Sequence, residues 1–141
     1  MATIEISYLG DLRTEDIHQQ SGTRIHTDAP TDNQGRGEAF SPTDLVANAL
    51  GTCILTTMAI FARRDGIELA GSQASVTKVM STDAPRRIVK IEIEMVVRAT
   101  TADGVVLDEA QKAKLARIAH TCPVAISLHP DLEQAVSITW A

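Results

Sequence analysis

The sequence predicts a single α+β domain over residues 1–141, with antiparallel sheets and one long central helix. Two patterns carry this prediction. Several segments alternate apolar and polar side chains, as half-buried strands do, and residues 45–62 form an uncharged run with helical spacing. The resulting element order, β-β-β-α-β-β-α-α-β, is typical of the α+β class, and the length is that of one ordinary domain with a sizeable core.

The N-terminal segment predicts a small antiparallel meander. TIEISYL at residues 3–9 alternates, and DLRTEDIHQ and GTRIHTD contain two further short strands divided by QSG. Residues 28–40, DAPTDNQGRGEAF, are rich in Pro, Gly, Asn and Asp and are expected to form a loop. Loops of this length inside a compact domain are often functional.

A helix is predicted to begin at Pro42, because Ser41 fits the N-cap position and Asp44 completes a capping box. It ends at RRDG, residues 63–66, after about 22 residues or about 33 Å. Its 18 uncharged residues reach the lower limit for crossing a bilayer, but several polar side chains dilute them, so we expect a core helix and no membrane span. A helix without charge on any face needs apolar cover all round, which a partner subunit could supply.

The second half of the chain predicts two long antiparallel strands, GSQASVTKVMS and RRIVKIEIEMVVRAT, joined by the turn TDAPRR. In the second strand Ile91, Ile93, Met95 and Val97 point to one face. DEAQKAKLARIAHTC then predicts a helix, VAISLH a short second helix, and EQAVSITWA a final strand.

Composition and charge exclude several classes of function. The formal charge is −5 and there is no Lys/Arg cluster, so we expect no nucleic-acid partner. The first 20 residues lack the basic start and apolar core of a signal peptide, which favours a cytoplasmic location. In that reducing compartment, two distant cysteines are more often free, reactive or buried than joined in a structural disulfide.

The chemistry-bearing candidates are Cys53 and Cys122. Cys53 shares a helical face with Leu50 and could be a small buried hydrophobe, whereas Pro123 makes Cys122 a fitting helix N-cap, where free N–H groups stabilise a thiolate. A metal site at these cysteines with His120 and His129 matches no zinc spacing, so no metal is expected. No cofactor is expected either, because NQGRGEAF lacks the Lys-Ser/Thr of a P-loop; a G-x-S-x-G nucleophile turn is also missing.

Two motifs together resemble the OsmC/Ohr family of osmotically induced and organic hydroperoxide resistance proteins. FSPTDLVANALGTCILTTM resembles the start of that family's central helix, and AHTCPVAISL resembles its second cysteine motif. The resemblance covers nearly the whole chain and implies an intertwined homodimer with the long helices packed across the interface. It also implies a two-cysteine peroxidase, in which Cys53 attacks a hydroperoxide, Cys122 resolves the product, and a dithiol such as dihydrolipoamide restores both.

The chain departs from the family at one position. The family uses an arginine held by a glutamate, and that glutamate, ten residues before the first cysteine, is Thr43 here. We expect Glu38 to substitute for it and Arg36 to serve as the arginine, with Arg24 as the alternative. The departure places the chain near the divergent OsmC-like branches. It leaves a second hypothesis open, a non-enzymatic protein that binds an apolar small molecule in the dimer-interface pocket, where the small side chains of ANALGTC leave room.

Overall fold

The structure is a computed structural model that describes residues 1–104 and 106–141. By its internal contacts the chain divides into two compact units, Met1–Val46 and Ala47–Ala141. The single-domain assignment stays a prediction. The elements are β1 (Ile4–Gly10), β2 (Arg13–His18), β3 (Arg24–Asp28), a 3-10 turn (Thr31–Asn33), α1 (Pro42–Arg64), β4 (Ile67–Glu68), β5 (Gln73–Met80), β6 (Ile88–Val97), β7 (Thr100–Thr101), α2 (Glu109–Ile118), α3 (Pro123–Ser127) and β8 (Glu133–Trp140).

The predicted N-terminal meander is confirmed, since β1 pairs antiparallel with β2 and β2 with β3. In this register Ile6 lies opposite Asp16, and Asp16 lies opposite Ile25. Directly opposed side chains share a face of the sheet, and so do alternate residues of a strand. One face therefore presents a set of exposed apolar side chains, called here the apolar sheet face: Ile4, Ile6, Tyr8 and Ile25.

The loop at residues 29–40 is tightly folded. The buried carboxylate of Asp28 accepts a hydrogen bond from the Glu38 N–H at 3.0 Å, and the Asp28 N–H donates to the Phe40 carbonyl at 3.1 Å. Only glycine fits at position 35, because a Cβ there would lie 1.6 Å from the carbonyl oxygen of Ala29. Backbone geometry therefore fixes this loop, although it contains little regular structure.

Helix α1 begins as predicted. The Asp44 N–H donates to Ser41 Oγ at 3.1 Å, and the Ser41 N–H donates to Asp44 Oδ2 at 2.9 Å, which completes the capping box. The helix spans 23 residues, against about 22 expected from the sequence. By length and composition α1 could cross a membrane, with a mean hydropathy of 1.8 and a third of that window buried, but the core helix of a soluble protein passes the same test.

The core of the second unit forms between α1 and a sheet with the strand order β5-β6-β8. The four alternating residues of β6 predicted to share a face are all buried. The β5–β6 pair is antiparallel, as expected, but β8 runs parallel to β6, so this sheet is mixed. Gly51 lets α1 approach the sheet closely, because a Cβ there would lie 2.8 Å from a methyl group of Val76.

Two elements of the fold escaped the sequence analysis. Strands β4 and β7 pair antiparallel through Ile67 and Thr101, but two-residue strands show no alternation that a sequence pattern could reveal.

Helix α2 begins with a full capping box between Asp108 and Gln111. The predicted short helix after Cys122 and the final strand are both present.

Candidate functional site

Cys53 lies in the middle of α1 and is partly buried. Its Sγ is 3.9 Å from the hydroxyl oxygen of Thr57, one helical turn further along. The helical face it occupies also carries Leu50, which is fully buried. The Cys53 sulfur therefore sits at the edge of the core and keeps some access to solvent.

Cys122 is fully buried and immediately precedes α3. It has the extended backbone conformation of an N-cap, and its Sγ accepts a hydrogen bond from the Ala125 N–H at 3.4 Å. Pro123 occupies the first turn of the helix, where its missing N–H costs nothing. The N-cap predicted from the Cys-Pro pair is confirmed.

The two cysteines interact in the folded chain, because each shifts the pKa of the other. Both are free thiols. They come from the middle of α1 and from the N-cap of α3, which are far apart in the sequence.

The pKa values of the two thiols are shifted in opposite directions from the ordinary value. Burial raises the pKa of Cys53, but hydrogen bonds from the Val124 N–H, the Cys122 thiol and the Thr57 hydroxyl outweigh it, so this pKa is lowered from the ordinary value. Burial raises the pKa of Cys122, and the neighbouring Cys53 raises it further despite backbone hydrogen bonds from Ala125 and Val124. These shifts favour ionisation of Cys53 over ionisation of Cys122.

The other two candidates, Arg36 and Glu38, lie in the loop of the first unit. Glu38 Oε2 accepts a hydrogen bond from Arg13 Nη1 at 3.0 Å, so its ion-pair partner is Arg13. Arg36 is exposed, and its guanidinium makes no ion pair within the described part of the chain. The alternative, Arg24, pairs with Glu15 at 2.8 Å.

Arg13, the ion-pair partner of Glu38, was not among the residues singled out from the sequence. It follows the turn between β1 and β2, and Glu38 lies 25 residues further along. No local pattern relates two positions so far apart. Thr43, at the family's glutamate position, places its hydroxyl 3.2 Å from that of Ser41 and carries no charge with which to hold an arginine.

His120 and His129 are the histidines considered as metal ligands beside the two cysteines. Among residues 1–104 and 106–141, no group of three or more His, Cys, Asp or Glu side chains is placed to hold a metal ion. His129 instead accepts a hydrogen bond at Nδ1 from the Asp131 N–H, at 3.0 Å. That contact is local to the turn before β8.

Comparisons with known proteins identify relatives. The family model described as OsmC-like protein matches residues 35–136. A protein from Psychrobacter arcticus 273-4, whose role as an osmotic stress induced and detoxification response protein is itself inferred, is 48% identical; the match covers 99% of this chain and 96% of that one, with a TM-score of 0.88. A comparison with curated proteins found no match.

More distant solved structures share the fold. The organic hydroperoxide resistance protein OhrB of Bacillus subtilis is 16% identical, with 99% of this chain and 98% of that chain covered and a TM-score of 0.65. An organic hydroperoxide resistance protein from Elizabethkingia anophelis is also 16% identical, with coverages of 100% and 98% and a TM-score of 0.69. The family model matches most of the chain, and the Psychrobacter protein is similar over nearly all of it. This chain therefore belongs to the OsmC-like protein family.

Proposed function

We propose that this protein is a cysteine-based peroxidase that reduces organic or other small hydroperoxides through a two-cysteine cycle. The observation that carries the proposal is that two free thiols interact in the folded chain. Cys53 is partly buried and its pKa is lowered, whereas Cys122 is buried and its pKa is raised. An attacking thiol must be ionised and accessible, whereas a resolving thiol need only be near. The names of the Bacillus and Elizabethkingia proteins point to the same class of substrate.

In the first step the Cys53 thiolate attacks the terminal oxygen of the hydroperoxide ROOH. The S–O bond forms, the O–O bond breaks, and the leaving alkoxide takes a proton from water to become the alcohol ROH. Cys53 is oxidised to a sulfenic acid and the hydroperoxide is reduced. The lowered pKa of Cys53 increases the share of thiolate at a given pH.

In the second step Cys122 attacks the sulfenic sulfur of Cys53. A disulfide forms and the oxygen leaves as water, with protons from the Cys122 thiol and the sulfenic acid. Cys122 already acts on the pKa of Cys53 in the folded chain, so the two thiols are neighbours before the peroxide arrives. A dithiol such as dihydrolipoamide then reduces the disulfide through a mixed disulfide, is itself oxidised to its cyclic disulfide, and restores both cysteines.

The remaining partners belong to the same proposal. We infer a homodimer in the cytoplasm. The apolar sheet face offers a surface for a second copy. Glu38 would hold the arginine that supports the thiolate. The sequence favours Arg36 as this arginine. Arg13 is a second candidate, because its Nη1 lies 3.0 Å from Glu38 Oε2.

The proposal is tested by counting free thiols and measuring intact mass after one equivalent of cumene hydroperoxide. We expect the wild-type chain to lose both thiols within seconds to minutes. Cys122→Ser should accumulate sulfenic acid at Cys53, which a dimedone adduct identifies, whereas Cys53→Ser should keep its remaining thiol. Arg13→Ala and Arg36→Ala, compared in the same assay, assign the arginine, because the one that supports the thiolate slows thiol loss.

Survival of both wild-type thiols for many minutes would contradict the peroxidase. The non-enzymatic hypothesis would then take its place, with Cys53 only lining a pocket for an apolar small molecule. Equal rates for Arg13→Ala, Arg36→Ala and wild type would remove the arginine from the cycle but leave the two-cysteine chemistry intact.

A further inference from the structure

Thr57 differs from the other two threonines on the middle of α1. The hydroxyl groups of Thr52 and Thr56 donate to backbone carbonyls one turn earlier, at 2.9 Å to Asn48 and at 2.9 Å to Thr52. Such a bond is the usual way in which a helical threonine satisfies its hydroxyl. The Thr57 hydroxyl is instead placed against Cys53 Sγ, at 3.9 Å. Either atom can donate while Cys53 is a thiol, but once Cys53 is ionised only the Thr57 hydroxyl can donate.

The groups that lower the pKa of Cys53 carry no formal charge. They are the Val124 backbone N–H, the Cys122 thiol and the Thr57 hydroxyl. A partly buried thiolate needs compensation for the water it has lost, and a hydrogen bond to the charged form supplies it. Hydrogen bonds to a charged group are about twice as strong as those between neutral groups. Even a long contact at sulfur therefore strengthens when Cys53 ionises.

We propose that Thr57 is a catalytic residue that stabilises the Cys53 thiolate through its hydroxyl group. This inference rests on the proposed peroxidase and adds a residue that the two cysteine motifs do not contain. Thr57 keeps its proton throughout. It donates a hydrogen bond to the sulfur before attack, while the electron pair of the thiolate forms the S–O bond and water protonates the leaving alkoxide. The stabilisation that it supplies does not depend on an arginine.

Substitutions at position 57 separate the hydroxyl from the shape of the side chain. Thr57→Val keeps the β-branched shape and removes the donor, whereas Thr57→Ser keeps the donor and removes the methyl group. Thr56→Val is the matched control, because Thr56 is the adjacent residue on the same helix and its hydroxyl is bound to the backbone. A role in packing predicts the opposite ranking of the two Thr57 variants from a role in hydrogen bonding.

The experiment measures the rate of Cys53 alkylation by iodoacetamide from pH 5 to pH 10, with the modified residue identified by peptide mass. We expect Thr57→Val to slow alkylation at pH 7 about fivefold to tenfold and to move the pH profile upward, since losing a hydrogen bond to the thiolate raises the pKa. Thr57→Ser and Thr56→Val should stay within about twofold of wild type. All four rates should converge at high pH, where Cys53 is ionised in every variant; a variant that merely changes access would differ at every pH.

A Thr57→Val profile that coincides with that of wild type would overturn the assignment, as would equal slowing by Thr57→Ser. The same proteins treated with cumene hydroperoxide keep this outcome distinct from failure of the proposed function. A shifted alkylation profile in a chain whose thiols resist the peroxide would leave Thr57 as the donor to the thiolate and reject the peroxidase. A shifted profile accompanied by a matching slowing of thiol oxidation would establish both.

Discussion

The two compact units bury opposite kinds of side chain. Every buried apolar side chain of the described residues lies within Ala47–Ala141, where α1 and the β5-β6-β8 sheet form the core. Within Met1–Val46 the buried side chains are polar: Asp16, Thr27, Asp28 and Ser41. One unit therefore buries mainly apolar surface, whereas the side chains buried in the other are hydrogen-bonding groups.

The polar interior of the first unit is linked by hydrogen bonds. The Thr14 hydroxyl donates to Asp16 Oδ1 at 2.8 Å and also contacts the hydroxyl of Thr27. Asp28 anchors the loop that contains Glu38. Net contributions of such bonds are about 1 kcal/mol each, less than the burial of one large aliphatic side chain. The exposed apolar side chains of this unit include Leu9, Leu12 and Phe40 besides those of the apolar sheet face.

The largest expected effect comes from the apolar core. Leu50 is fully buried, so Leu50→Ala should lower the free energy of unfolding by about 2–5 kcal/mol, through lost transfer free energy and the cavity left behind. Ile6→Ala is the matched control, because Ile6 is 64% exposed and should change the stability of the single chain by less than about 0.5 kcal/mol. Chemical denaturation of both variants, below the concentration at which the chain self-associates, measures the difference. Similar losses would show that the first unit also depends on apolar burial.

A charge on the apolar sheet face tests the proposed homodimer. Ile6→Glu should weaken self-association by at least about tenfold, because it removes about 2 kcal/mol of apolar burial at the interface and introduces a charge that must be desolvated. Ser7→Glu adds the same charge on the opposite face of β1 and should leave association unchanged. Sedimentation velocity over a concentration series gives both constants. Equal behaviour of the two variants would exclude this face from the contact between copies.

The smallest expected effect concerns the exposed ion pair of Arg13 and Glu38. Its side chains are 31% and 53% exposed, so solvent screens the pair and its contribution to stability should stay below about 1 kcal/mol. A double-mutant cycle with Arg13→Ala and Glu38→Ala measures the coupling by urea denaturation. The pair Arg24 and Glu15, at 2.8 Å, serves as reference. A coupling well above 1 kcal/mol would contradict the small contribution to stability expected of an exposed ion pair.

Local sequence signals determined the boundaries of the main elements. The capping box of Ser41 and Asp44 set the start of α1, the alternation of β6 identified its buried face, and the Cys122-Pro123 pair marked the N-cap of α3. Each signal works through interactions within a few residues, so it can be read without knowing the fold. The two cysteine motifs were likewise enough to identify the family.

Only the tertiary structure decided which distant residues meet. It set β8 parallel to β6 and paired Glu38 with Arg13. It also shifted the pKa values of the two cysteines in opposite directions, in part because the Val124 N–H lowers the pKa of Cys53. Strand neighbours, ion pairs and pKa values all depend on groups that are far apart in the chain and come close only after folding. The sequence by itself therefore determined the elements and the candidate thiols of this protein, whereas the contacts that distinguish one thiol from the other arise from the folded chain.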